Sequence, residues 1–342
     1  LKINLNVKGL FIKNHFAAEY IYNKYKDTPT CGVIERDLSF GLERIAEPVG
    51  LLAGIVPTTN PTATAIFKTL LALKTRNGII FSPHPRASKS TAEAARVIHD
   101  AAVAAGAPAG LIGCIGKPTV ELSQRLMQHR RINLILATGG PNMVRAAYSS
   151  GKPAIGVGAG NTPAIIDESA DVRMAVSSIL MSKTFDNGVI CASEQSVIAV
   201  RAVYEAVKQE FTLRGAVLLT EEQRQKVAAI LLKKGGINPD IVGQPAEKIA
   251  KMAGFKVPPL AKVLIAEVQQ IGRDEPFSYE KLSPVLALYA ADDFDQAMNK
   301  ALALVEFGGI GHTSVLYTDP ARRDRIDAFA ARIRTGRVLV NM

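Results

Sequence analysis

Short apolar runs alternate with helically periodic segments through the first half of the chain. The runs cover residues 51–56, 78–81, 111–115 and 132–137, and helical patterns over residues 62–74, 88–105 and 120–128 separate them. Runs of this length, bounded by turn-forming residues, are typical of buried parallel strands. The β-α-β-α order predicts an α/β fold with a doubly wound parallel sheet, whose ligands bind at the carboxyl ends of the strands.

The remaining segments predict further elements of both types. In the N-terminal region residues 1–10 alternate like a short strand, residues 12–26 carry a helical apolar stripe, and residues 30–49 form two β-type segments that break at residues 37–41, as in a hairpin. The second half has predicted helices at residues 169–183 and from Val203 and Glu221, strands at residues 196–200, 263–266 and 285–289, and a glycine helix stop at residues 233–236.

The length of 342 residues exceeds what one ordinary hydrophobic core holds, so two domains are expected. A glycine-rich stretch at residues 156–160 lacks the G-x-G-x-x-G spacing of a dinucleotide fingerprint and precedes an apolar run instead of a helix. We therefore place the domain boundary near this stretch, between residues 1–162 and residues 163–342.

Charge and aromatic content bear on the class of partner. Lysine and arginine exceed aspartate and glutamate by 41 − 31 = 10, and this excess is spread along the chain. Aromatic residues make up 6% of the chain, Trp is absent and no nucleic-acid-binding motif occurs, so no nucleic-acid partner is expected. A positive field suits small-molecule phosphates equally well.

Cysteine usage and hydropathy bear on location. Cys31, Cys114 and Cys191 are an odd number at wide spacing, which argues against a disulfide framework and a metal site and favours the reducing cytoplasm. No apolar run approaches the length of a membrane span, and the first residues lack the order of a signal peptide.

Cys191 is the strongest candidate for chemistry. A lone cysteine after Val189 and Ile190 is, in isolation, more often a small buried hydrophobe than a nucleophile. However, the turn-forming residues 186–188 precede it and two small residues follow it, as expected where backbone approaches a ligand closely. A thiolate at such a junction can attack a carbonyl carbon.

The segment around Cys191 resembles a known family. Residues 185–195 read Phe-Asp-Asn-Gly-Val-Ile-Cys-Ala-Ser-Glu-Gln and are similar to the active-site segment of the CoA-acylating aldehyde dehydrogenases, especially the aldehyde dehydrogenase half of the bifunctional aldehyde-alcohol dehydrogenases. Residues 280–284 and 308–314 match further family segments, and the resemblance extends from Ile12 to Asn341. Since the family continues beyond both ends of this region, we expect the chain to be a fragment.

The resemblance implies an activity and its partners. The expected reaction interconverts acetaldehyde or another short aldehyde, CoA and NAD⁺ with acyl-CoA and NADH, in a first domain that binds NAD and a second that carries the thiol. The hairpin at about residues 30–50 is expected to pair subunits of a homo-oligomer, which forms filaments in the full-length bifunctional relatives, although an ordinary surface hairpin has the same pattern.

The resemblance also implies cofactor contacts in the strand-end loops. The loop after residues 78–81 borders the adenosine end of the cofactor in the family, and residues 138–140 open a helix whose N–H groups favour a phosphate or the nicotinamide. The predicted NAD contacts are Ile55, Val56, Pro57, Thr58, Thr59, Asn60, Ser82, His84, Pro85, Gly139, Gly140, Gly158 and Glu280. His84 stands between two prolines, but a solvated loop histidine is the commoner situation.

Three of the implied roles have simpler alternatives. Asn60 corresponds to the family's amide donor to the oxyanion, but before Pro61 it also fits a helix N-cap. Glu280 corresponds to the carboxylate that binds the nicotinamide ribose, or is a solvated turn residue. His312, among glycines, is predicted to relay a proton or line the CoA path, or is a buried, hydrogen-bonded histidine.

Val157 separates the acylating from the hydrolytic reading. In hydrolytic members of the superfamily a carboxylate that activates water occupies the place taken here by Val157, which cannot accept a proton. The resemblance therefore favours transfer to CoA over hydrolysis. A hydrolytic aldehyde dehydrogenase, a γ-glutamyl phosphate reductase and a filament-forming scaffold are the remaining alternatives.

Overall fold

The computed structural model describes residues 7–233, 235–310 and 312–342. These residues form two compact units, a first unit of Val7–Gly158 and a second unit of Ala159–Met342. The division falls inside the glycine-rich stretch near which the sequence predicts a boundary.

The first unit is built on a five-stranded sheet in which every neighbouring pair is parallel. Its helices are α1 (Val7–His15), α2 (Ile21–Tyr25), α3 (Pro61–Lys74), α4 (Ser88–Ala104), α5 (Val120–Gln128) and α6 (Pro141–Tyr148). Its strands are β1 (Gly32–Asp37), β2 (Leu42–Ala46), β3 (Leu51–Val56), β4 (Gly78–Pro83), β5 (Ile112–Cys114), β6 (Ile132–Thr138) and β7 (Ala154–Val157). The sheet order is β5-β4-β3-β6-β7, which confirms the predicted α/β fold with a parallel sheet.

The central strand β3 is buried because apolar side chains cover both faces of the sheet. Leu52, Val56 and Phe81 pack in one cluster and Ala53 and Ile135 in another. Burial on both faces explains why the predicted strands are continuous apolar runs rather than alternating ones.

The N-terminal region of the described chain is helical. The strand predicted for residues 1–10 is wrong over residues 7–10, which lie in α1, and its other residues lie outside the described ones. Val7, Leu10 and Phe11 have the i, i+3, i+4 spacing of a helix, so the alternation was the weaker signal. A π-helical turn, Phe16–Tyr20, joins α1 to α2 across the predicted helix. The predicted hairpin is confirmed as the antiparallel pair β1-β2.

The second unit contains a seven-stranded sheet in which every neighbouring pair is again parallel. Its helices are α7 (Val172–Thr184), α8 (Arg201–Leu213), α9 (Glu221–Leu231), α10 (Ala246–Met252), α11 (Phe294–Gly308) and α12 (Arg323–Arg332). Its strands are β8 (Pro163–Ile166), β9 (Ser196–Val200), β10 (Ala216–Leu218), β11 (Leu232–Lys233), β12 (Gly236–Ile237), β13 (Val263–Glu267), β14 (Val285–Ala291), β15 (Thr313–Tyr317) and β16 (Arg337–Val340). The order is β10-β13-β14-β9-β8-β15-β16, and β11-β12 is a separate antiparallel pair.

Local predictions differ from the second unit at two places. The glycine helix stop predicted for residues 233–236 is wrong, because α9 ends at Leu231 and the following residues form the hairpin β11-β12, of which Lys234 is not described. The helix predicted from residue 169 begins at Val172, because the Asp171 side chain accepts a hydrogen bond from the Met174 N–H at 3.0 Å and caps it.

No helix among the described residues is both long and apolar enough to cross a membrane.

Candidate active site

The candidate residues of the second unit lie where the chain enters its parallel sheet. Cys191 precedes β9, Glu280 precedes β14 and His312 directly precedes β15. Because β14, β9, β8 and β15 are successive parallel strands, their amino ends lie along one edge of the sheet. The fold therefore brings these three residues to the same edge, although 121 positions separate Cys191 from His312 (312 − 191 = 121).

A turn with an unusual backbone conformation precedes Cys191. After α7, Asp186 and Asn187 both have φ of 50° and Gly188 has φ of 70°. This left-handed path is uncommon for residues other than glycine. The Asn187 side chain donates to the Gly243 carbonyl at 3.1 Å, which ties the turn to a distant loop.

Three hydrogen bonds fix the backbone around Cys191. The N–H and the hydroxyl of Ser193 donate to the Ile190 carbonyl at 3.0 and 2.8 Å. The Thr162 hydroxyl donates to the carbonyl of Cys191 at 3.4 Å. Cys191 is thus held on a turn and is half-buried, whereas the side chains of Val189 before it and Val197 in the following strand are in the core.

Three buried ionisable side chains of the second unit, those of Lys183, Glu194 and Glu280, interact with one another. Burial lowers the pKa of Lys183 to about 7, opposed by the charges of Glu194 and Glu280. Burial in turn raises the pKa of Glu194 and raises that of Glu280 to about 7, and in both cases Lys183 opposes the effect. The two carboxyl groups and the ammonium therefore compensate one another in a region that water does not reach.

Glu280 has the features of a ligand-binding carboxylate. Its Oε1 is buried and has no hydrogen-bond partner among the described residues. A solvated turn carboxylate would not bury an oxygen in this way, since an unpaired buried polar atom costs free energy. Its predicted contact with the nicotinamide ribose stays a prediction.

His312 likewise keeps unused polar atoms. Both ring nitrogens are buried and have no hydrogen-bond partner among the described residues. Burial lowers its pKa, and the charge of Arg337 lowers it further, so the ring is neutral at pH 7. Gly160 packs closely against the His312 side chain, and only glycine fits there, because a Cβ at Gly160 would lie 2.8 Å from the His312 Cβ. The alternative of a hydrogen-bonded core histidine does not fit these atoms.

The cofactor-binding residues predicted in the first unit lie at the carboxyl ends of its strands, whereas the candidate residues of the second unit lie at amino ends. Residues 57–60 follow β3, residues 84–85 follow β4, Gly139 and Gly140 follow β6, and Gly158 follows β7. These strands are parallel, so the four loops share the carboxyl edge of the five-stranded sheet, where ligands bind in open α/β sheets.

Several of the residues predicted to contact NAD form hydrogen bonds or pack in the core within the protein itself. The Ser82 hydroxyl is buried and hydrogen-bonds the Ser123 hydroxyl at 2.7 Å, and Ile55 and Val56 bury their side chains in the core. The Gly139 N–H donates to the Val157 carbonyl at 3.2 Å. His84 is largely exposed, and its Nδ1 accepts from the Arg86 N–H at 3.2 Å. Partial desolvation of the ring, together with the Arg86 charge, lowers its pKa.

Asn60 occupies the N-cap position of α3, with Pro61 as the first helical residue. Its side chain makes no capping hydrogen bond and instead accepts from the Thr59 hydroxyl at 3.2 Å. The capping interaction expected from the sequence is therefore wrong, although the position is right. The amide is not committed to the helix N–H groups, and its role toward an oxyanion stays a prediction.

Comparison with known proteins now assigns the chain to a family. The model of the aldehyde dehydrogenase family matches residues 15–342. This chain belongs to the aldehyde dehydrogenase family. The bifunctional aldehyde-alcohol dehydrogenase AdhE of Escherichia coli K12 is 60% identical over 336 residues, which are 98% of this chain and 38% of that protein. The chain thus spans little more than a third of the length of this curated relative.

Solved structures of aldehyde dehydrogenases have the same fold. The acetylating aldehyde dehydrogenase of Geobacillus thermoglucosidasius is 49% identical with a TM-score of 0.94, covering 98% of this chain and 74% of that one. The propionaldehyde dehydrogenase of Rhodopseudomonas palustris, with bound CoA and an acylated cysteine, is 31% identical with a TM-score of 0.79, covering 86% of this chain and 66% of that one.

Three buried residues of this aldehyde dehydrogenase were missed by sequence reasoning. Lys68 donates to the carbonyls of Ile55 and Leu136, both at 2.8 Å, and joins β3 to β6. Lys183 and Gln195 form a second buried contact behind the Cys191 turn. The signal for the lysines was their helical register, since each lies on the apolar stripe of its helix, where a surface lysine is not expected.

Proposed function

We propose that this aldehyde dehydrogenase carries out the CoA-acylating reaction, in which a short aldehyde such as acetaldehyde, CoA and NAD⁺ are converted reversibly to acyl-CoA and NADH. The observation that carries the proposal is the half-buried Cys191 on its turn, at a sheet edge shared with Glu280 and His312. The buried Oε1 of Glu280 and both buried ring nitrogens of His312 have no hydrogen-bond partner among the described residues. The similarity to acetylating relatives supports the choice of reaction.

The chain's residues fit the proposed NAD. Within the second unit, Glu280 offers a buried carboxylate oxygen, Oε1, without a partner among the described residues, which suits a ribose hydroxyl. Within the first unit, the loops at the carboxyl edge of the parallel sheet are of the kind that binds dinucleotides. The cofactor would supply the hydride acceptor. Glu280 would contribute orientation, since a charge-assisted hydrogen bond fixes the position of its partner.

Cys191 acts as the nucleophile. Its thiolate attacks the aldehyde carbonyl carbon, and the carbonyl oxygen becomes an oxyanion that N–H donors stabilise. Departure of hydride from that carbon leaves a thioester on Cys191. The CoA thiolate then attacks the thioester carbonyl, acyl-CoA leaves, and the Cys191 thiolate is restored. His312 accepts the proton of the CoA thiol, which a neutral imidazole with unused nitrogens can do.

The residue at position 157 bears on the choice between this reaction and hydrolysis. Val157 stands where hydrolytic relatives are expected to carry a carboxylate, so the thioester should persist until CoA arrives. We expect NADH formation to stop after about one turnover per Cys191 without CoA and to resume on its addition. Equal NADH production with and without CoA, with free carboxylate as product, would contradict the acylating reaction.

A thiol variant provides the control. Cys191→Ala should abolish turnover and the single-turnover burst while NADH binding, measured by titration of NADH fluorescence, stays within about twofold of wild type. Loss of both activities together would indicate that Cys191 is structural instead.

We also propose that the hairpin β1-β2 pairs subunits of a homo-oligomer. Leu38, Phe40 and Leu42 at its tip are 91%, 79% and 64% exposed, and a group of exposed apolar side chains is typical of an interaction surface. Shortening the hairpin should lower the mass measured by light scattering. We propose further that such oligomers assemble into filaments and that the protein is located in the cytoplasm.

A further inference from the structure

Gln195 lies at the centre of a buried hydrogen-bond network in the second unit. Its side chain is fully buried directly before β9. Its Oε1 accepts from the Lys183 ammonium and from the backbone N–H of Lys281, both at 3.1 Å, and its Nε2 donates to the carbonyl of Ser193 at 3.3 Å. One carboxamide thus links its own turn, through Ser193, to two other segments of the chain.

Each contacted segment carries part of the proposed chemistry. Ser193 closes the turn of Cys191, and Lys281 is the neighbour of Glu280. The third contact is the last turn of α7, from which the chain enters the strained residues before the thiol. The backbone of Gln195 is itself fixed, because its N–H donates to the Thr162 carbonyl at 2.9 Å and its carbonyl accepts from Ala287 at 3.2 Å.

Only a carboxamide satisfies all three partners. A carboxylate keeps the two accepted hydrogen bonds but cannot donate to the Ser193 carbonyl, and a thioether makes none of them well. The partners are themselves buried, so removing the amide would leave polar groups without hydrogen bonds in a region closed to water.

We propose that Gln195 is a positioning residue that holds the Cys191 turn in a fixed relation to the Glu280 segment, with the Lys183 ammonium as its third anchor. The proposal rests on the proposed function for the roles of Cys191 and Glu280. Gln195 itself does not meet the substrate. It acts through the Ser193 carbonyl on one side and through the Lys281 N–H on the other.

Two variants of Gln195 test separately its hydrogen bond to Ser193, on the Cys191 side, and its hydrogen bond to Lys281, on the Glu280 side. Gln195→Met has a similar volume and loses all three hydrogen bonds, so both sides should loosen. Gln195→Glu keeps acceptors for Lys183 and Lys281 and loses the donor to Ser193, and its added charge lies against the Lys183 ammonium. It should therefore loosen the Cys191 side alone.

Thr318→Val is the matched control. Thr318 is also buried, and its hydroxyl donates to Asp167 at 2.5 Å, but it follows β15 at the carboxyl edge of the same sheet, about 16 Å along the strand from the edge that carries the candidate residues. The change is isosteric and removes a buried hydrogen bond without touching the Cys191 turn.

Two readouts do not depend on turnover. The first is the rate of Cys191 alkylation by iodoacetamide, followed on its own peptide by mass spectrometry because the chain has other cysteines. The second is the dissociation constant of NADH, and thermal unfolding is followed in parallel. Alkylation needs neither aldehyde nor CoA, so it remains informative if the acylating reaction itself is disproved by the CoA-dependence experiment.

In Gln195→Met we expect alkylation to quicken by about fivefold and NADH to bind about fivefold more weakly, each corresponding to the loss of about one hydrogen bond. In Gln195→Glu we expect the faster alkylation with NADH affinity within about twofold of wild type. Thr318→Val should lower the unfolding temperature without changing the alkylation rate or the NADH affinity.

The proposal is overturned if the Gln195 variants lose only stability, as Thr318→Val does, or if Gln195→Glu weakens NADH binding while alkylation stays at the wild-type rate. If Gln195→Met does not fold, the split expected of Gln195→Glu decides the outcome by itself.

Discussion

Gly188→Ala tests the backbone path that presents Cys191. Gly188 has φ of 70°, and a Cβ at this position would lie 2.7 Å from the carbonyl oxygen of Ser283 and 3.1 Å from that of Lys183. The left-handed backbone costs a residue with a Cβ about 1–2 kcal/mol. Overlap with backbone atoms, which cannot turn aside as a side chain can, costs about 1–3 kcal/mol more. The expected loss of unfolding free energy is therefore about 2–5 kcal/mol.

Gly254→Ala is the control for the conformational part of this cost. Gly254 also has a positive φ, of 84°, but a Cβ there meets nothing within 4 Å. The variant should therefore lose only about 1–2 kcal/mol. Both glycines belong to the second unit, so the difference between the two variants isolates the overlap with Ser283.

The assay is urea-induced unfolding followed by far-UV circular dichroism, because the chain contains no Trp whose fluorescence could be followed. Alkylation of Cys191 is measured on the same samples. If Gly188→Ala is no less stable than Gly254→Ala and alkylates at the wild-type rate, the close approach of Gly188 to Ser283 does not hold the turn in solution, and the reasoning fails.

Three further changes test individual groups. Burial lowers the pKa of Lys68 from its usual 10.5 to about 7, so between these values the unfolded chain binds more protons than the folded one and stability rises with pH. Lys68→Met should flatten that rise by up to about 1.4 kcal/mol per pH unit in urea titrations at about pH 7 and pH 9, and parallel curves for variant and wild type would refute the shift. Asn60→Ala should cost less than about 0.5 kcal/mol because its side chain makes no capping bond, whereas a loss of about 1 kcal/mol would restore the capping interpretation. Asp171→Ala removes a real cap and should cost about 1 kcal/mol by the same measurement, with Cys191 alkylation unchanged; altered alkylation would show that the start of α7 influences the turn at its end.

Local periodicity was sufficient for most elements. The bounds of β3, β9 and α5 agree with the sequence prediction to the residue, because an apolar run or a helical stripe is a property of consecutive residues. Several elements of the second unit, among them the long helix α11, were not predicted at all, and the wrong predictions arose where the local signal was short or ambiguous. The four-residue strand β8 was taken for an apolar run without a type, and the glycines near residue 235 fit a helix stop as well as a hairpin.

The sequence also contained the chemistry of Cys191, through the turn residues around it and the resemblance of residues 185–195 to a family. The sequence could not show which hydrogen bonds each polar side chain makes. Asn60 stands where a cap is expected, yet its side chain turns to Thr59, a choice between two neighbouring hydrogen bonds that residue types leave open.

The tertiary structure alone decided which distant residues meet. Gln195 bonds Lys281 across 86 positions, and β9 lies between β14 and β8, so the residues before these strands share one edge of the sheet. Such contacts form when apolar faces of separate elements are buried together, and the free energy of that packing depends on the whole unit rather than on any window of sequence. The candidate nucleophile could therefore be identified along the chain, whereas the buried network around it appears only once the sheet has formed.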